Sequence, residues 1–172
     1  MTQRVFGVTG WKNSGKTTLL TRLVSEFARR GFNVSTVKHA HHEFDIDTPG
    51  TDSFRHREAG AREVVIVSGN RWALMHELRD EVEPSMEDAI GRLSPCDLVL
   101  VEGYKREAHP KIEARRTNSA RATPLAPDDP SILAVAADHE TDTGALPRFD
   151  IDDIAGIADF IQAQTKLGRR DG

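Results

Sequence analysis

The segment from residue 10 to residue 19, GWKNSGKTTL, constrains the fold of this chain more than any other. It fits the pattern G-x-x-x-x-G-K-[ST], in which a glycine-rich turn presents backbone N–H groups to a phosphate. A short apolar run at 4–10 leads into the turn, a segment with helical spacing of apolar residues follows at 17–31, and 32–39 reads as a strand. This order of strand, loop, helix and strand predicts a phosphate-binding βαβ unit.

The rest of the chain continues to alternate strands with helices. Further strands are predicted at 63–68, 71–78, 97–103, 111–116 and 132–138, and helices at 52–61, 84–94 and 152–168. The proline-containing segment 117–131 is predicted to be a surface loop, and 169–172 a frayed tail. The alternation predicts a single P-loop NTPase domain over 1–172, an α/β fold with a mostly parallel sheet in a three-layer α/β/α sandwich.

Composition argues against several classes of protein. A net charge of −4 gives the molecule no overall attraction to nucleic acid or anionic lipid. No window approaches the roughly 20 apolar residues of a membrane span, and the first residues contain no apolar stretch of signal-peptide length. The single cysteine, Cys96, cannot form an internal disulfide, which fits a reducing compartment. We therefore expect a cytoplasmic protein with no nucleic-acid partner and no membrane partner.

The loop predicts how a nucleotide is held. Its candidate nucleotide-binding residues are Asn13, Ser14, Gly15, Lys16, Thr17 and Thr18. Lys16 is expected to reach the β- and γ-phosphates and to act in catalysis, and Thr18 to lie on the α-phosphate side. The Thr17 hydroxyl is expected to ligate Mg²⁺, which prefers oxygen ligands.

A second oxygen ligand for magnesium is expected where a parallel strand ends, because ligands bind beyond the carboxyl ends of such strands. The run CDLVLVEGYK offers Glu102 at that end of its strand. Asp97 lies at the opposite end, roughly 16 Å away at ~3.3 Å per residue. Glu102 is therefore the predicted metal-side acid, and a solvent-facing acid that ends a strand is the alternative.

The polar segment 38–61, KHAHHEFDIDTPGTDSFRHREAGA, follows the second strand and leaves two chemical interpretations open. The first assigns it to the magnesium and γ-phosphate site, with Asp45 or Asp47 near a metal-bound water. Alternatively, the histidines at 39, 41 and 42, with Asp45, bind a transition metal, as in a metallochaperone-like GTPase. A solvated polar loop is the plain alternative.

Four segments together resemble the B protein family of molybdopterin-guanine dinucleotide biosynthesis (MobB). They are GWKNSGKTTL, VKHAHHEFDIDTPGTDSFRHREAGA, DLVLVEGYK and ILAVAAD, and they follow the order and spacing of that family over residues 4–138. The glycine-rich motif alone is shared by many proteins. The histidine- and aspartate-rich segment and VEGYK are more selective.

This resemblance implies a P-loop GTP-binding protein of the class that includes dethiobiotin synthetase and the nickel-insertion GTPases. It implies a homodimer with weak GTP hydrolysis, acting as an adapter beside the molybdenum cofactor guanylyltransferase (MobA), whose substrate is molybdopterin. By family match, the loop from Gly15 to Thr18 carries the phosphates, and Thr17 and Glu102 carry Mg²⁺. The segment 45–55 is then expected beside the nucleotide.

The sequence carries weaker signals for the base and for hydrolysis. The usual guanine motif N-K-x-D is absent, and Asp138, at the end of ILAVAAD, could accept hydrogen bonds from guanine or merely stabilise a turn. No arginine is clearly placed to offset transition-state charge. Arg55 is the candidate catalytic arginine, with Arg57 as its alternative, and slow intrinsic hydrolysis is expected.

Basic residues concentrate in 104–121, YKREAHPKIEARRTNSAR. The cluster is either a solvated face or a surface for a phosphorylated partner such as molybdopterin, with Lys105 and Lys111 as first contacts. A third option is a P-loop small-molecule kinase in which the basic segment 115–121 forms a lid over the phosphates.

Overall fold

The computed structural model of the chain describes residues 3–40, 44–120 and 123–168. Its elements in chain order are β1 Val5–Thr9, α1 Lys16–Arg29, β2 Val34–Lys38, α2 Asp52–Glu58, β3 Glu63–Val67, β4 Trp72–His76, α3 Met86–Gly91, β5 Leu98–Glu102, β6 Lys111–Arg115, β7 Ile132–Ala137, β8 Arg148–Asp150 and α4 Ile154–Thr165. They divide into two compact units, a larger one up to His39 and from Met86 onward, and a smaller one at Ala40–Ser85. The expectation of a single domain over 1–172 stays a prediction.

A six-stranded parallel sheet forms the centre of the larger unit. The strand order is β2-β5-β1-β6-β7-β8, and each neighbouring pair is parallel. β1 lies between β5 and β6, so the glycine-rich loop leaves the sheet at an inner position. Every residue of β5 and β6 is buried, as expected for strands covered on both faces.

Helices cover both faces of this sheet. On one face, α1 contributes Leu23 and Phe27 and α4 contributes Ile157 and Ile161 to a continuous apolar core. On the other face, α3 packs with Ile90 and its neighbours against the buried valines of β2 and β5. The sequence prediction of an α/β/α sandwich with a mostly parallel sheet is confirmed.

The smaller unit contains α2 and an antiparallel hairpin of β3 and β4. Val65 pairs with Leu74, and Val67 pairs with Trp72. Because side chains alternate along a strand, these four residues share one face of the hairpin. They are exposed, Trp72 to 68% and Val67 to 72%. This apolar face is called the hairpin face below.

The structure also differs from the sequence prediction in places. The predicted helix at 84–94 is shorter, Met86–Gly91, and the predicted loop 117–131 contains a short 3₁₀ helix at Ala126–Asp128. The sequence missed β8, because a strand of three residues paired only with β7 shows no measurable periodicity. The predicted frayed tail, 169–172, lies outside the described residues. Within the ranges that are described, no helix is both long and apolar enough to cross a membrane.

Candidate nucleotide-binding site

The glycine-rich loop between β1 and α1 is tightly packed against the sheet. Gly10 has a φ of 145°, and a Cβ added there would lie 2.6 Å from the carbonyl oxygen of Ala114. Gly15 has a φ of 88°, and its added Cβ would lie 2.5 Å from Nε of Arg116. Both glycines are therefore required by backbone conformation and by space.

The first turn of α1 is open to an anion. Gly15 is the N-cap residue of this 14-residue helix, and no side chain caps it. The N–H groups of a helix start lack partners within the helix, and they carry the positive end of its dipole. They face a pocket lined by Asn13, Gly15, Lys16, Thr17, Thr18 and Arg116, which is called the phosphate pocket below.

Lys16 lines the phosphate pocket, whereas Ser14 is buried within the loop. Lys16 Nζ donates a hydrogen bond to the backbone carbonyl of Trp11 at 2.7 Å. Burial, followed by the charge of Lys105, lowers the pKa of Lys16. Ser14 is 1% exposed, and its N–H donates to the same Trp11 carbonyl at 3.2 Å. Five of the six predicted loop residues therefore line the phosphate pocket, while Ser14 supports the turn.

The predicted magnesium ligands meet at the same edge of the sheet. Thr17 Oγ1 donates to Glu102 Oε1 at 2.8 Å, and Glu102 is 8% exposed at the end of β5. Lys38 Nζ lies 3.5 Å from the same carboxylate oxygen. A hydroxyl and a carboxylate side by side at the rim of a phosphate pocket fit the oxygen preference of Mg²⁺.

Arg116 lines the phosphate pocket, and the sequence named it only as part of the basic segment 115–121, the possible lid over the phosphates. It is the first residue after β6, and it is partly buried. Its position immediately after a strand, at the carboxyl edge of the predicted sheet, was the signal that could have identified it. A guanidinium beside a phosphate pocket is suited to bidentate binding of phosphate oxygens.

A second cavity opens beside the phosphate pocket, and it encloses about 170 Å³. Trp11 and residues after β6 and β7 line it, including Thr117, Ser119 and His139. Trp11 Nε1 donates to the carbonyl of Thr123 at 2.7 Å, which ties the loop to this wall. The cavity is called the side cavity below.

A buried ion pair on β6 connects the segments that form the walls of the side cavity. Glu113 is 1% exposed, and its carboxylate accepts from the backbone N–H groups of Leu125 at 2.8 Å and Ala126 at 3.0 Å. Arg115 Nη2 donates to the same carboxylate at 2.8 Å. The other terminal nitrogen of Arg115 donates to Thr141 Oγ1 at 3.1 Å. β6 thereby fixes the segments that precede and follow β7.

Asp138, the predicted guanine-binding residue, follows β7. Its Oδ1 accepts from the backbone N–H of Thr117 at 3.0 Å and shares a hydrogen bond of 2.7 Å with His139 Nδ1. The hydrogen bond with His139 lowers the pKa of the Asp138 carboxyl. Asp138 therefore has a structural contact through one oxygen, and its role toward a base stays a prediction.

The two predicted catalytic residues outside the loop, Asp45 and Arg55, belong to the smaller unit. Asp45 pairs with Arg57, Oδ2 to Nη2 at 2.8 Å, and this hydrogen bond lowers the pKa of Asp45. Arg57 also pairs with Glu77 at 2.8 Å. Arg55 is exposed and lies 3.9 Å from Asp52. Arg57 is thus the arginine engaged by carboxylates here, and Arg55 is the more accessible one.

The transition-metal interpretation depends on His41 and His42, which lie outside the described residues. In the part of the chain that the structure describes, no group of three or more histidine, cysteine or acidic side chains is arranged to hold a metal ion. His39, the third histidine of that prediction, has its ring 4.9 Å from the ring of Tyr104.

The structure corrects the predicted contact surface at Lys111. Lys111 is fully buried, and its Nζ lies 3.0 Å from Asp129 and donates to the carbonyl of Glu107 at 2.7 Å. A buried, paired lysine cannot be a first contact for a partner. Arg115 is also buried and paired, which removes it from the proposed lid. Lys105 lies over the ring of Trp11, 4.2 Å from its centroid.

The chain is similar over most of its length to one family. The family model described as molybdopterin guanine dinucleotide synthesis protein B matches residues 5–138. The molybdopterin-guanine dinucleotide biosynthesis adapter protein of Escherichia coli (strain K12) is 39% identical over 153 residues, which cover 88% of this chain and 87% of that protein. The adapter protein of Haemophilus influenzae is 41% identical over 160 residues, 92% of this chain and 87% of its relative. A crystal structure of molybdopterin-guanine biosynthesis protein B aligns with a TM-score of 0.69 at 28% identity, covering 93% of this chain and 99% of the other.

Proposed function

Because the chain belongs to the molybdopterin guanine dinucleotide synthesis protein B family, we propose that it is an adapter in molybdopterin-guanine dinucleotide biosynthesis that binds GTP with Mg²⁺. The observation that carries the nucleotide part is the phosphate pocket. There an uncapped helix start, Lys16 and the paired oxygens of Thr17 and Glu102 meet. This combination offers N–H donors and a cation to phosphate, and oxygen ligands to its metal.

Thr17 and Glu102 are the residues that would hold magnesium, directly or through water. The ion supplies charge neutralisation for the phosphate oxygens when it is bound. Lys16 would exchange its hydrogen bond to the Trp11 carbonyl for one to a phosphate oxygen. Because the uncapped N–H groups lie on backbone that the tight glycine turns fix in place, they are preorganised for the anion.

Guanine specificity and slow hydrolysis form the finer part of the proposal. Asp138 is the candidate acceptor for guanine N1–H and the exocyclic amine, a pair of donors that adenine lacks. Asp45 and Arg55 are the candidate residues for orienting water and offsetting charge. Arg55 is exposed and is not held rigidly for this role, which supports slow turnover and a role in gating contacts.

The partners in this proposal are a second copy of the chain and the guanylyltransferase MobA. The hairpin face supports a homodimer, because apolar side chains such as Val67 and Trp72 are exposed together there. Molybdopterin, with its phosphate, is a further candidate ligand. A cytoplasmic location stays a prediction.

Calorimetry with purified protein tests the proposal. GTP, GDP and ATP are titrated with and without Mg²⁺, and then again with purified guanylyltransferase present. We expect GTP to bind more tightly than ATP, Mg²⁺ to strengthen GTP binding, and Glu102→Gln to remove most of that strengthening. Glu140→Gln is the matched control, since Glu140 is exposed on the loop before β8. Absence of heat with both purine triphosphates in the presence of Mg²⁺ would refute nucleotide binding.

A further inference from the structure

Arg116 stands where the phosphate pocket and the side cavity meet. Among the described residues, it alone lines both spaces. A ligand whose phosphates lie against the start of α1 and whose other end enters the side cavity must pass the Arg116 side chain. In a nucleoside di- or triphosphate, the group at that junction is the α-phosphate.

The sheet order separates Arg116 from the metal side of the pocket. β5, which carries Glu102, pairs with one edge of β1, and β6, which leads into Arg116, pairs with the other. The hydroxyl of Thr17 donates a hydrogen bond to Glu102, so Thr17 lies on the β5 side of the loop. If magnesium and the terminal phosphate lie on the β5 side, the nucleoside end of the ligand points toward β6 and Arg116.

The guanidinium of Arg116 is held close to the loop without a protein partner for its Nε. A Cβ on Gly15 would lie 2.5 Å from this nitrogen, so the side chain rests directly on the loop backbone. Nε is closed to solvent and has no hydrogen-bond partner among the described residues. A buried donor without an acceptor is unfavourable, and such a group in a native structure calls for a ligand or another explanation.

We propose that Arg116 binds the α-phosphate of the nucleotide and thereby joins the phosphate pocket to the side cavity, which receives the nucleoside. The inference rests on the proposed nucleotide binding and assigns its orientation. The planar fork of arginine matches two phosphate oxygens at once, and Nε becomes one of the donors when the side chain turns from the loop backbone toward the ligand. Because GTP and GDP both contain the α-phosphate, Arg116 contributes equally to the binding of both nucleotides in this arrangement. It has no separate role in the hydrolysis step.

The test compares Arg116→Gln and Arg116→Lys with Arg92→Gln, an exposed arginine just after α3. Affinities for GTP and GDP are measured by calorimetry with Mg²⁺, and hydrolysis is measured at saturating GTP. Arg116→Gln should weaken GTP and GDP by the same factor, roughly 10- to 100-fold, which is the range for loss of a charge-assisted hydrogen bond. Arg116→Lys should recover part of the loss, and Arg92→Gln should bind as the wild type does.

Thermal unfolding gives an independent readout. Without nucleotide, Arg116→Gln should melt within about 2 °C of the wild type, since Nε has no partner to lose. With GTP its melting temperature should rise less than that of the wild type. Unchanged affinities, or slower hydrolysis with GDP affinity intact, would overturn the α-phosphate assignment. If the wild type binds no nucleotide, the proposed function itself fails, so the two failures are distinguishable.

Discussion

Replacing Glu113 with glutamine removes the negative charge that organises the side cavity. The carboxylate is 1% exposed, and it accepts from two backbone N–H groups, at 125 and 126, and from Arg115. Glutamine keeps one acceptor oxygen and introduces an NH₂ group, so at least one of these donors must face another donor. Arg115 then remains buried without its carboxylate.

The magnitude follows from the burial of this pair. Breaking a buried ion pair by removing one partner costs about 3–5 kcal/mol. Arg115 keeps its hydrogen bonds to Thr141 and to the carbonyl of Asp142, so the lower end applies. We expect Glu113→Gln to reduce the free energy of unfolding by about 3 kcal/mol, which corresponds to a drop in melting temperature of roughly 6–12 °C for a chain of this size.

Urea denaturation followed by circular dichroism measures the effect. Glu140→Gln is the control, because Glu140 is 90% exposed and its ion pair with Arg148 at 3.0 Å is a surface one, for which about 0.5 kcal/mol or less is expected. Arg115→Met and the double variant complete a cycle. The double variant should lose at least ~1 kcal/mol less stability than the sum of the two single changes. A loss below ~1 kcal/mol for Glu113→Gln, or simple additivity, would refute the coupled network.

Two further predictions concern buried groups of the larger unit. Lys111→Glu places a second carboxylate beside Asp129 at a position that is 0% exposed. It should lower the free energy of unfolding by at least ~3 kcal/mol. Denaturation followed by circular dichroism measures this loss, with Arg106→Glu as the exposed control, and a Lys111→Glu protein as stable as the wild type would contradict the prediction. Burial lowers the pKa of His109 from 6.5 to about 4. Because the unfolded chain binds this proton more readily, the free energy of unfolding should fall by roughly 2 kcal/mol as pH drops from 7 to 4.5. His109→Met should flatten that part of the pH profile measured by urea denaturation, and an equally steep decline in the variant would exclude His109 as its source.

The sequence predicted the phosphate pocket because its signals are local. The spacing of the glycine-rich motif identifies the loop residues that contact phosphate. Glu102 was identifiable because it ends a predicted parallel strand, and such strands end at a shared edge of the sheet. The strands β1, β5 and β7 were equally predictable, since they are largely apolar runs next to helices of clear period.

Residues in and after β6 escaped the same reasoning. Its sequence, KIEAR, alternates charged and apolar side chains and resembles a strand with one solvated face. All five residues are buried, because Lys111, Glu113 and Arg115 each find partners on segments far along the chain. Such pairing is a property of tertiary structure, and one sequence carries no trace of it. The sequence does show that Arg116 follows a predicted strand, but the packing of its side chain on the loop is again a tertiary contact.

The central place of β1 in the sheet has a consequence for synthesis of the protein. Val5 pairs with Val99, and Gly7 pairs with Lys111, so both neighbours of the first strand emerge from the ribosome about a hundred residues after it. Contacts so distant along the chain slow folding, because closing the intervening stretch costs entropy before any pairing compensates for it. β1 is therefore paired along both of its edges only after β6 has been synthesised, and until then the loop that follows β1 lacks the support of β6.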